Sequence, residues 1–202
     1  EILRDFDERL TYLKNLNQRK DEVIHLIEKQ EKLTPELREK ILNCTVLKDV
    51  EDLYLPFRPK KRTRATIAKE KGLEPLAEAI LSLKHSDVEI KDLAQSYIDP
   101  EKEVDTAEDA VAGACDIIAE QISENADFRK YIRSETYQQG MIVTTQTKAQ
   151  NEEQKVFEMY YDYREPIKLI ADHRILAINR GETKKILKVS IEAPVDRILA
   201  YL

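Results

Sequence analysis

The sequence predicts a mainly α protein, a multi-helix bundle with one long helix and a small α+β segment at its C-terminal end. Apolar residues recur at spacings of three and four through most of residues 1–140, which is the pattern of amphipathic helices. After Gly140 the pattern changes to short β-branched runs. With 202 residues, 42% hydrophobic and 36% charged, the chain is long enough for one or two ordered domains with a proper core.

The first element is a long helix predicted over about residues 2–31. Its apolar stripe starts with Leu3 and Phe6 and resumes at Val23 after a polar interval. At a rise of about 1.5 Å per residue such a helix is near 45 Å long, which exceeds what a small domain needs. We interpret it as a bundle helix with a buried stripe. The alternative is a rod that joins separated parts of a larger protein.

Shorter helices follow the long one. Thr34 as a cap before Pro35 predicts a helix over residues 35–43, and an apolar face predicts another over 46–54. Two short helices joined by a tight turn also occur in helix-turn-helix modules, but bundle packing is the favoured interpretation. Further apolar stripes predict a helix up to about residue 83 and one that runs from Val88 to Pro100.

The next segment carries a helix start signal and small residues. Asp105 or Thr106 can cap it, with Glu108 in the first turn, and Gly113 allows close approach of another helix. We expect this helix to be the most buried of the set. A helix restarts near Asn125 and ends at Gly140, which closes a helical region that we assign to residues 1–140.

Residues 141–202 form a predicted mixed α/β connector. The expected elements are a strand or extended stretch at Met141–Thr147, a loop or exposed helix start at Lys148–Lys155, a helix over 173–179, a turn at Arg180–Glu182 and a strand over 185–192. A hairpin at 185–192 is the alternative. Arg174 and Arg180 lie near loop ends and could contact phosphate, although ion pairs to Glu165 or Glu182 are favoured.

Four clustered aromatic residues precede that helix: Phe157, Tyr160, Tyr161 and Tyr163. Aromatic clusters surrounded by basic residues are typical of platforms that stack single-stranded nucleic acid. Here the acids Glu158, Asp162 and Glu165 interrupt the cluster, so packing in a core or against another domain is the favoured interpretation.

The rest of the chain is organised around residues 52–83, which contain a basic segment, residues 58–71. It holds seven cations and a single acid, Glu70, although the whole chain has a net charge of −6. Pro56 and Pro59 predict an extended backbone over residues 55–59. The seven cations are our candidate nucleic-acid-binding residues: Arg58, Lys60, Lys61, Arg62, Arg64, Lys69 and Lys71.

Part of the basic segment is predicted to be helical. Thr63 or Thr66 can cap a helix over 64–71, and Gly72 can end it. Arg62 and Arg64 would then lie near a helix N-terminus, where N–H groups and guanidinium groups can bind phosphate. Two other interpretations stay open: a solvated loop whose cations pair with acids elsewhere, or a surface that docks an acidic protein.

The sequence contains no pattern typical of a catalytic, cofactor or metal site. The four glycines are too dispersed for a phosphate-binding loop, and His25, His85 and His173 have no second ligand at helical spacing. No nucleophile has a neighbouring base. We therefore expect no enzymatic activity, no cofactor, no metal and no small-molecule substrate.

Two further expectations concern the cysteines and the location. Cys44 and Cys115 lie in apolar helical contexts, so we expect both to be buried, reduced and unlinked. No apolar run approaches the roughly 20 residues of a membrane helix, and no signal peptide opens the chain. These features favour a cytoplasmic protein without membrane contact.

Three segments resemble a known family. The strings are DLYLPFRPKKRTRATIAKEKGLEPLA at 52–77, YYDYREPIKLI at 160–170 and DHRILAINRGE at 172–182, and they resemble the bacterial Tex transcription accessory proteins. In that family a helical N-terminal region precedes an RNase-H-like domain without evident nuclease function, helix-hairpin-helix elements and an RNA-binding OB-fold domain.

The resemblance implies an internal fragment of such a protein, with residues 141–202 leading toward the RNase-H-like domain. The partners it implies are nucleic acid, bound weakly and without sequence preference, and RNA polymerase or other domains of the same protein. A purely structural scaffold, whose basic segment docks an acidic partner, remains the alternative.

Overall fold

The computed structural model describes residues 1–83, 90–148 and 154–202, and it divides into two compact units, Glu1–Ala126 and Asp127–Leu202. His85, Val88 and most of the expected loop at 148–155 lie outside the described residues. The fold is mainly α with a small α+β C-terminal segment, as the sequence predicts.

The first unit is helical in its described part. Two 3₁₀ turns, Leu55–Phe57 and Pro100–Lys102, interrupt the α-helices. The α-helices are α1 Ile2–Glu28, α2 Pro35–Asn43, α3 Leu47–Tyr54, α4 Arg64–Glu70, α5 Glu74–Ser82, α6 Ile90–Gln95 and α7 Ala107–Glu124.

The helix starts follow the predicted caps with one change. The Thr34 hydroxyl accepts a hydrogen bond from the Leu37 N–H at 3.2 Å, which starts α2 as expected. At α7 the cap is Thr106, and its reciprocal partner is Asp109 rather than Glu108. The capping box joins a cap to the third residue of the helix, and that residue after Thr106 is Asp109.

Helix α1 is buried over its second half and exposed over its first. Leu16, Val23 and Ile27 lie in a core with residues of α2 and α3, whereas Leu3 and Phe6 are 83% and 66% exposed. The prediction that the whole stripe is core was therefore wrong. Helices of 9 and 8 residues cannot cover one of 27 residues, because length grows by about 1.5 Å per residue.

A second core in this unit forms around α7, on which α4, α5 and α6 pack. Gly113 permits the close approach that its sequence context predicts, because a Cβ atom there would lie 2.4 Å from Leu73 Cδ1. The apolar residues Ala110, Ala114 and Ile117 form the buried face of α7. Cys115 lies off that face.

The cysteine prediction was partly wrong. Cys115 is exposed and Cys44 is half-buried, and no disulfide links them. Cys115 follows Ala114 in sequence, and a step of one residue turns the side chain about 100° away around the helix axis. An apolar neighbourhood in sequence is therefore a poor guide to burial within an amphipathic helix.

The second unit combines a three-stranded antiparallel sheet with helices. The sheet has the order β2-β1-β3, and Val143 at its centre pairs with Arg164 on one side and Ser190 on the other. The elements are α8 Ala126–Gln139, β1 Met141–Gln146, a 3₁₀ helix Gln154–Tyr160, β2 Asp162–Pro166, α9 Asp172–Thr183, β3 Leu187–Glu192 and α10 Val195–Tyr201.

Helix α8, which the sequence groups with the helical region, lies almost entirely in this second unit. Its Tyr131 ring stacks on Tyr201 of α10 at a centroid distance of 3.6 Å, and Phe128 meets the same ring edge-on. Aromatic contacts of this kind stabilise packing beyond the area they bury. They explain why α8 associates with the C-terminal elements.

The aromatic cluster forms a core, as expected. Phe157 and Tyr160 are buried, and Tyr161 and Tyr163 pack against them. The Thr144 hydroxyl of β1 donates to the Tyr160 carbonyl at 2.5 Å, which connects the 3₁₀ helix to the sheet. The cluster therefore stabilises the second unit.

Helix α9 is longer than predicted. It continues through Gly181 to Thr183, so the expected turn at Arg180–Glu182 was wrong. A Cβ atom on Gly181 would lie 2.6 Å from Leu187 Cδ1, so this glycine serves close packing inside the helix rather than ending it. The chain turns at Lys185, which has a φ of 59°.

Candidate nucleic-acid interface

The basic segment begins after a 3₁₀ turn at Leu55–Phe57, where the sequence predicts extended backbone. Pro56 occupies the first turn of this element, a position that proline tolerates because its N–H group is not needed there. The chain becomes extended at Arg58, the residue before Pro59. The prediction for 55–57 was therefore wrong, and that for Arg58 is confirmed.

Helix α4 has the cap that the sequence predicts. The Thr63 hydroxyl accepts from the Thr66 N–H at 3.1 Å, and the helix is followed by Gly72 at a φ of 80°. The same hydroxyl lies 2.9 Å from Glu120 Oε1 of α7 and donates to it. The first-turn Thr66 N–H is therefore satisfied by the cap.

Two cations of the segment, Arg58 and Lys60, are held by carboxylates of the helices and are called the anchored pair below. Arg58 forms an ion pair with Glu51 of α3, and its guanidinium carbon lies 5.6 Å from the Tyr54 ring centroid. The Lys60 ammonium contacts Glu120 at 3.5 Å and also pairs with Glu124. The side chains of Glu120 and Glu124 are only 16% and 18% exposed.

Glu51 connects the anchored pair to the long helix. Its carboxylate accepts from the Arg19 Nε of α1 at 2.6 Å as well as pairing with Arg58. The hydrogen bond from Arg19 is the main reason that the pKa of Glu51 is lowered, and partial burial opposes it. The start of the basic segment is therefore tied to both α1 and α3.

Three other cations, Lys61, Arg62 and Arg64, are called the exposed trio. Arg62 contacts Glu70 at 2.7 Å, with side chains 66% and 53% exposed. Arg64 is 85% exposed and lies 3.5 Å from Asp116, beyond hydrogen-bonding distance. Lys61 is exposed and forms no ion pair with any residue that the structure describes. Ion pairs this exposed contribute little, so the trio is available to other anions.

The last two cations of the segment flank the end of α4. Lys69 lies 3.5 Å from Glu74. Lys71 lies 3.5 Å from the Glu103 carboxylate and donates to its carbonyl oxygen at 2.9 Å. Both carboxylate partners are exposed, as the partner of Arg62 is. The lysine side chains themselves are less exposed than those of Arg62 and Arg64.

Three of the acids that meet the segment form a row along α7. Asp116, Glu120 and Glu124 follow one another at intervals of four residues, so they share one helix face. Arg64, Thr63 and Lys60 contact them in that order. Sequence reasoning did not find these partners, although the four-residue spacing of the acids is a signal that could have indicated a charged face.

A polar cluster in the second unit connects a helix to the sheet. Arg174 of α9 contacts Glu165 of β2 at 2.5 Å, which confirms the favoured ion pair, and the Tyr163 hydroxyl donates to the same carboxylate. Hydrogen bonds from Tyr163 and Arg174 lower the pKa of Glu165, whereas burial raises that of Tyr163. The cluster joins α9 to the sheet.

Two negative findings hold for the described residues. No group of three or more His, Cys, Asp or Glu side chains there is arranged to hold a metal ion. Within the same ranges, 1–83, 90–148 and 154–202, no helix has the length and apolar character that crossing a bilayer requires.

Comparison with known proteins identifies the family. A family model described as Tex central region-like matches residues 85–198, more than half of the chain. The chain belongs to the Tex family. The region matched by this model begins after the basic segment.

Individual relatives cover almost the whole chain. The chain is 52% identical to the uncharacterized protein YdcI of Bacillus subtilis, over 99% of this chain and 28% of that protein. It is 38% identical to protein tex of Bordetella pertussis, over 96% of this chain and 24% of that protein. It is 37% identical to transcriptional accessory protein Tex of Neisseria gonorrhoeae, over 96% of this chain and 25% of that protein. The chain thus spans about a quarter of the length of these Tex relatives.

Proposed function

We propose that this Tex-family chain is a non-enzymatic segment of a cytoplasmic transcription accessory protein that contacts nucleic acid through the exposed trio. The contact is to backbone phosphates and carries no sequence information. The anchored pair has the separate task of scaffolding the helices. The association with transcription is supported by the name of one relative, transcriptional accessory protein Tex.

The observation that carries this proposal is the exposure of the trio. Arg62 and Arg64 are 66% and 85% exposed, and they neighbour Lys61, which is also exposed. Guanidinium groups bind phosphate in a two-pronged geometry, and a mobile exposed side chain can exchange a weak carboxylate partner for it. Three contacts provide weak affinity, in the non-specific range of about 10⁻⁴ to 10⁻⁶ M, which becomes useful beside a second binding module.

A second function is favoured by a different observation. Six of the seven cations have a carboxylate partner among the described residues, and only Lys61 does not. If these pairs persist in solution, the segment is a structural element that docks an acidic surface, such as RNA polymerase or another domain of the same protein. This scaffold function predicts no salt-dependent binding of nucleic acid.

The salt dependence of binding to a mixed-sequence duplex distinguishes the two functions. If the trio contacts three phosphates, log K falls against log salt with a slope of about −2.7, so fourfold more salt weakens binding about 40-fold. The variant Lys61→Ala/Arg62→Ala/Arg64→Ala should lose most of this slope. The matched control Lys29→Ala/Lys32→Ala/Arg38→Ala removes the same charge from exposed positions of the same unit and should keep it.

The comparison of these two variants controls for net charge. Equal slopes for the parent and the trio variant would contradict the phosphate contact and favour the scaffold function. An equal loss of slope in both variants would show that the overall charge, rather than the basic segment, governs the binding.

A further inference from the structure

A groove lies between α4 and α7, directly beside Arg64, with a volume of about 230 Å³. Arg64 and Lys71 line one wall, and Asp109 and Asp116 line the other. Glu103 also lines the groove, and apolar residues form the rest of its lining. The apolar lining includes Ile67, Ala68, Leu73, Val104, Ala112 and Gly113.

The two walls come from helices that run antiparallel. Arg64 at the start of α4 is close to Asp116, whereas Lys71 after its end meets Glu103, which precedes α7. Arg64 and Lys71 are separated by two helical turns, as are Asp109 and Asp116, so the groove is about 10 Å long.

The two ends of the groove differ in their hydrogen-bonding capacity. At one end Asp109 accepts hydrogen bonds from the Thr106 N–H and hydroxyl, and Lys71 donates to the Glu103 carbonyl. At the other end Arg64 and Asp116 are 3.5 Å apart, too far for a hydrogen bond. A cationic donor and an anionic acceptor therefore remain available side by side at the Arg64 end.

We infer that this groove takes one unpaired base of a single-stranded nucleic acid. Arg64 contacts the phosphate of that nucleotide, the apolar lining contacts the face of the base, and Asp116 accepts a hydrogen bond from an exocyclic amino group. The inference rests on the proposed function, which it deepens by assigning a strand preference and a base preference to the same surface.

The size of the groove supports a base rather than a larger ligand. Pockets for drug-sized molecules have volumes of about 300–1,000 Å³. At about 230 Å³ this groove suits a small planar fragment whose backbone stays outside. Lys61 and Arg62, which precede Arg64 in the chain and are exposed, provide cations for neighbouring phosphates, which a basic peptide would not need.

The chemistry of Asp116 predicts which base is preferred. A carboxylate accepts from the amino group of cytosine, whereas thymine has a carbonyl oxygen at the same place. Oligo(dC) and oligo(dT) are therefore matched probes of similar base size. We expect the parent chain to bind oligo(dC) about fivefold more tightly than oligo(dT), the lower end of discrimination by a base contact.

Two substitutions test the groove without disturbing the core. Ala112 is exposed on α7, so Ala112→Leu fills the groove from outside, and Ala119→Leu is a matched control on an exposed position that does not line it. Asp116→Ala removes the acceptor. It should therefore abolish the preference for oligo(dC) over oligo(dT).

The measurement is fluorescence anisotropy at neutral pH with labelled oligo(dC), oligo(dT), a mixed-sequence duplex and one of its strands. Ala112→Leu is expected to remove both the base preference and the preference for the single strand, and Ala119→Leu to keep them. Equal affinities of the parent for oligo(dC) and oligo(dT), or identical behaviour of the two leucine variants, would overturn the inference.

The remaining outcomes distinguish a failure of the groove inference from a failure of the proposed phosphate contact. If the exposed-trio variant loses its salt slope while Ala112→Leu binds as the parent does, the phosphate contact stands and the groove assignment is wrong. If the parent binds none of the nucleic acids, both are wrong. If Ala112→Leu weakens binding of an oligo-arginine peptide but not of oligo(dC), the groove belongs to a basic protein segment and the inference is overturned.

Discussion

The anchored pair and the exposed trio lie in one stretch of seven residues, yet their carboxylate partners differ in depth. Lys60 meets Glu120 and Glu124, which are largely covered, whereas Arg62 meets Glu70 on open surface. An ion pair contributes to stability when its loss leaves a covered charge without a partner, and little when water can replace the partner. Equal charges in one segment can therefore have different tasks.

The difference in burial between the carboxylate partners of Lys60 and Arg64 arises from where each cation meets α7. The acidic row of α7 meets Lys60 at Glu120 and Glu124, where the α7 carboxylates are the most covered. At Asp116 the row reaches the more open Arg64 end. For Lys60 and Arg64, the position along this row decides whether the cation is held or remains available to a ligand.

The largest expected effect is on stability, from Lys60→Ala. Removing this ammonium leaves Glu120 and Glu124 close together and partly buried, which we expect to lower the free energy of unfolding by about 1–2 kcal/mol. Lys61→Ala, one residue away and exposed, should change it by less than about 0.5 kcal/mol. Urea denaturation followed by circular dichroism measures both values.

Equal effects of the two lysine substitutions would remove the distinction on which the account depends. A loss of unfolding free energy confined to Lys60→Ala would support the distinction between anchored and exposed cations. Lys60→Arg restores a cation and should recover part of the stability, since the guanidinium can still reach the acids.

A smaller effect is expected from the pH dependence of the Glu51 anchor. Its pKa is lowered chiefly by the hydrogen bond from Arg19, so its contribution to stability is complete above the usual glutamate pKa of about 4.3 and disappears as the pH falls through the lower value of the folded state. Glu51→Gln should cost about 0.5–1 kcal/mol at pH 7.

The gap in unfolding free energy between the parent and Glu51→Gln should stay constant near neutral pH and narrow below about pH 4.5. Glu28→Gln on the exposed surface of α1 is the control for removing one carboxylate. A gap that is independent of pH down to acid unfolding would show that Arg19 and Arg58 do not stabilise the charged form of Glu51.

Local signals explain which parts of the fold could be predicted. The caps at Thr34 and Thr63 and the stop at Gly72 act within one helical turn, and all three are confirmed. Burial along α1 could not be predicted, because Leu3 and Leu16 belong to the same periodic stripe and only the reach of α2 and α3 separates them. Gly181 looked like a helix end because its packing partner Leu187 belongs to the next strand.

The sequence predicted which cations form the candidate site, but not which of them are anchored and which are exposed. The seven cations are visible in the sequence, whereas the partners that hold Lys60 lie about sixty residues further along the chain on α7. Nothing local distinguishes Lys60 from Lys61. Only the tertiary contact between the basic segment and α7 shows which cations are held and which are exposed.

The most direct test of this division measures stability and binding together in two double variants of the same segment. Arg58→Ala/Lys60→Ala should lower the free energy of unfolding and keep the salt slope for duplex binding. Arg62→Ala/Arg64→Ala should keep the stability within about 0.5 kcal/mol and reduce the magnitude of the slope by about 1.8. If both variants change both quantities alike, or if the Arg62/Arg64 variant loses stability while its slope is unchanged, the separation of anchored and exposed cations is contradicted.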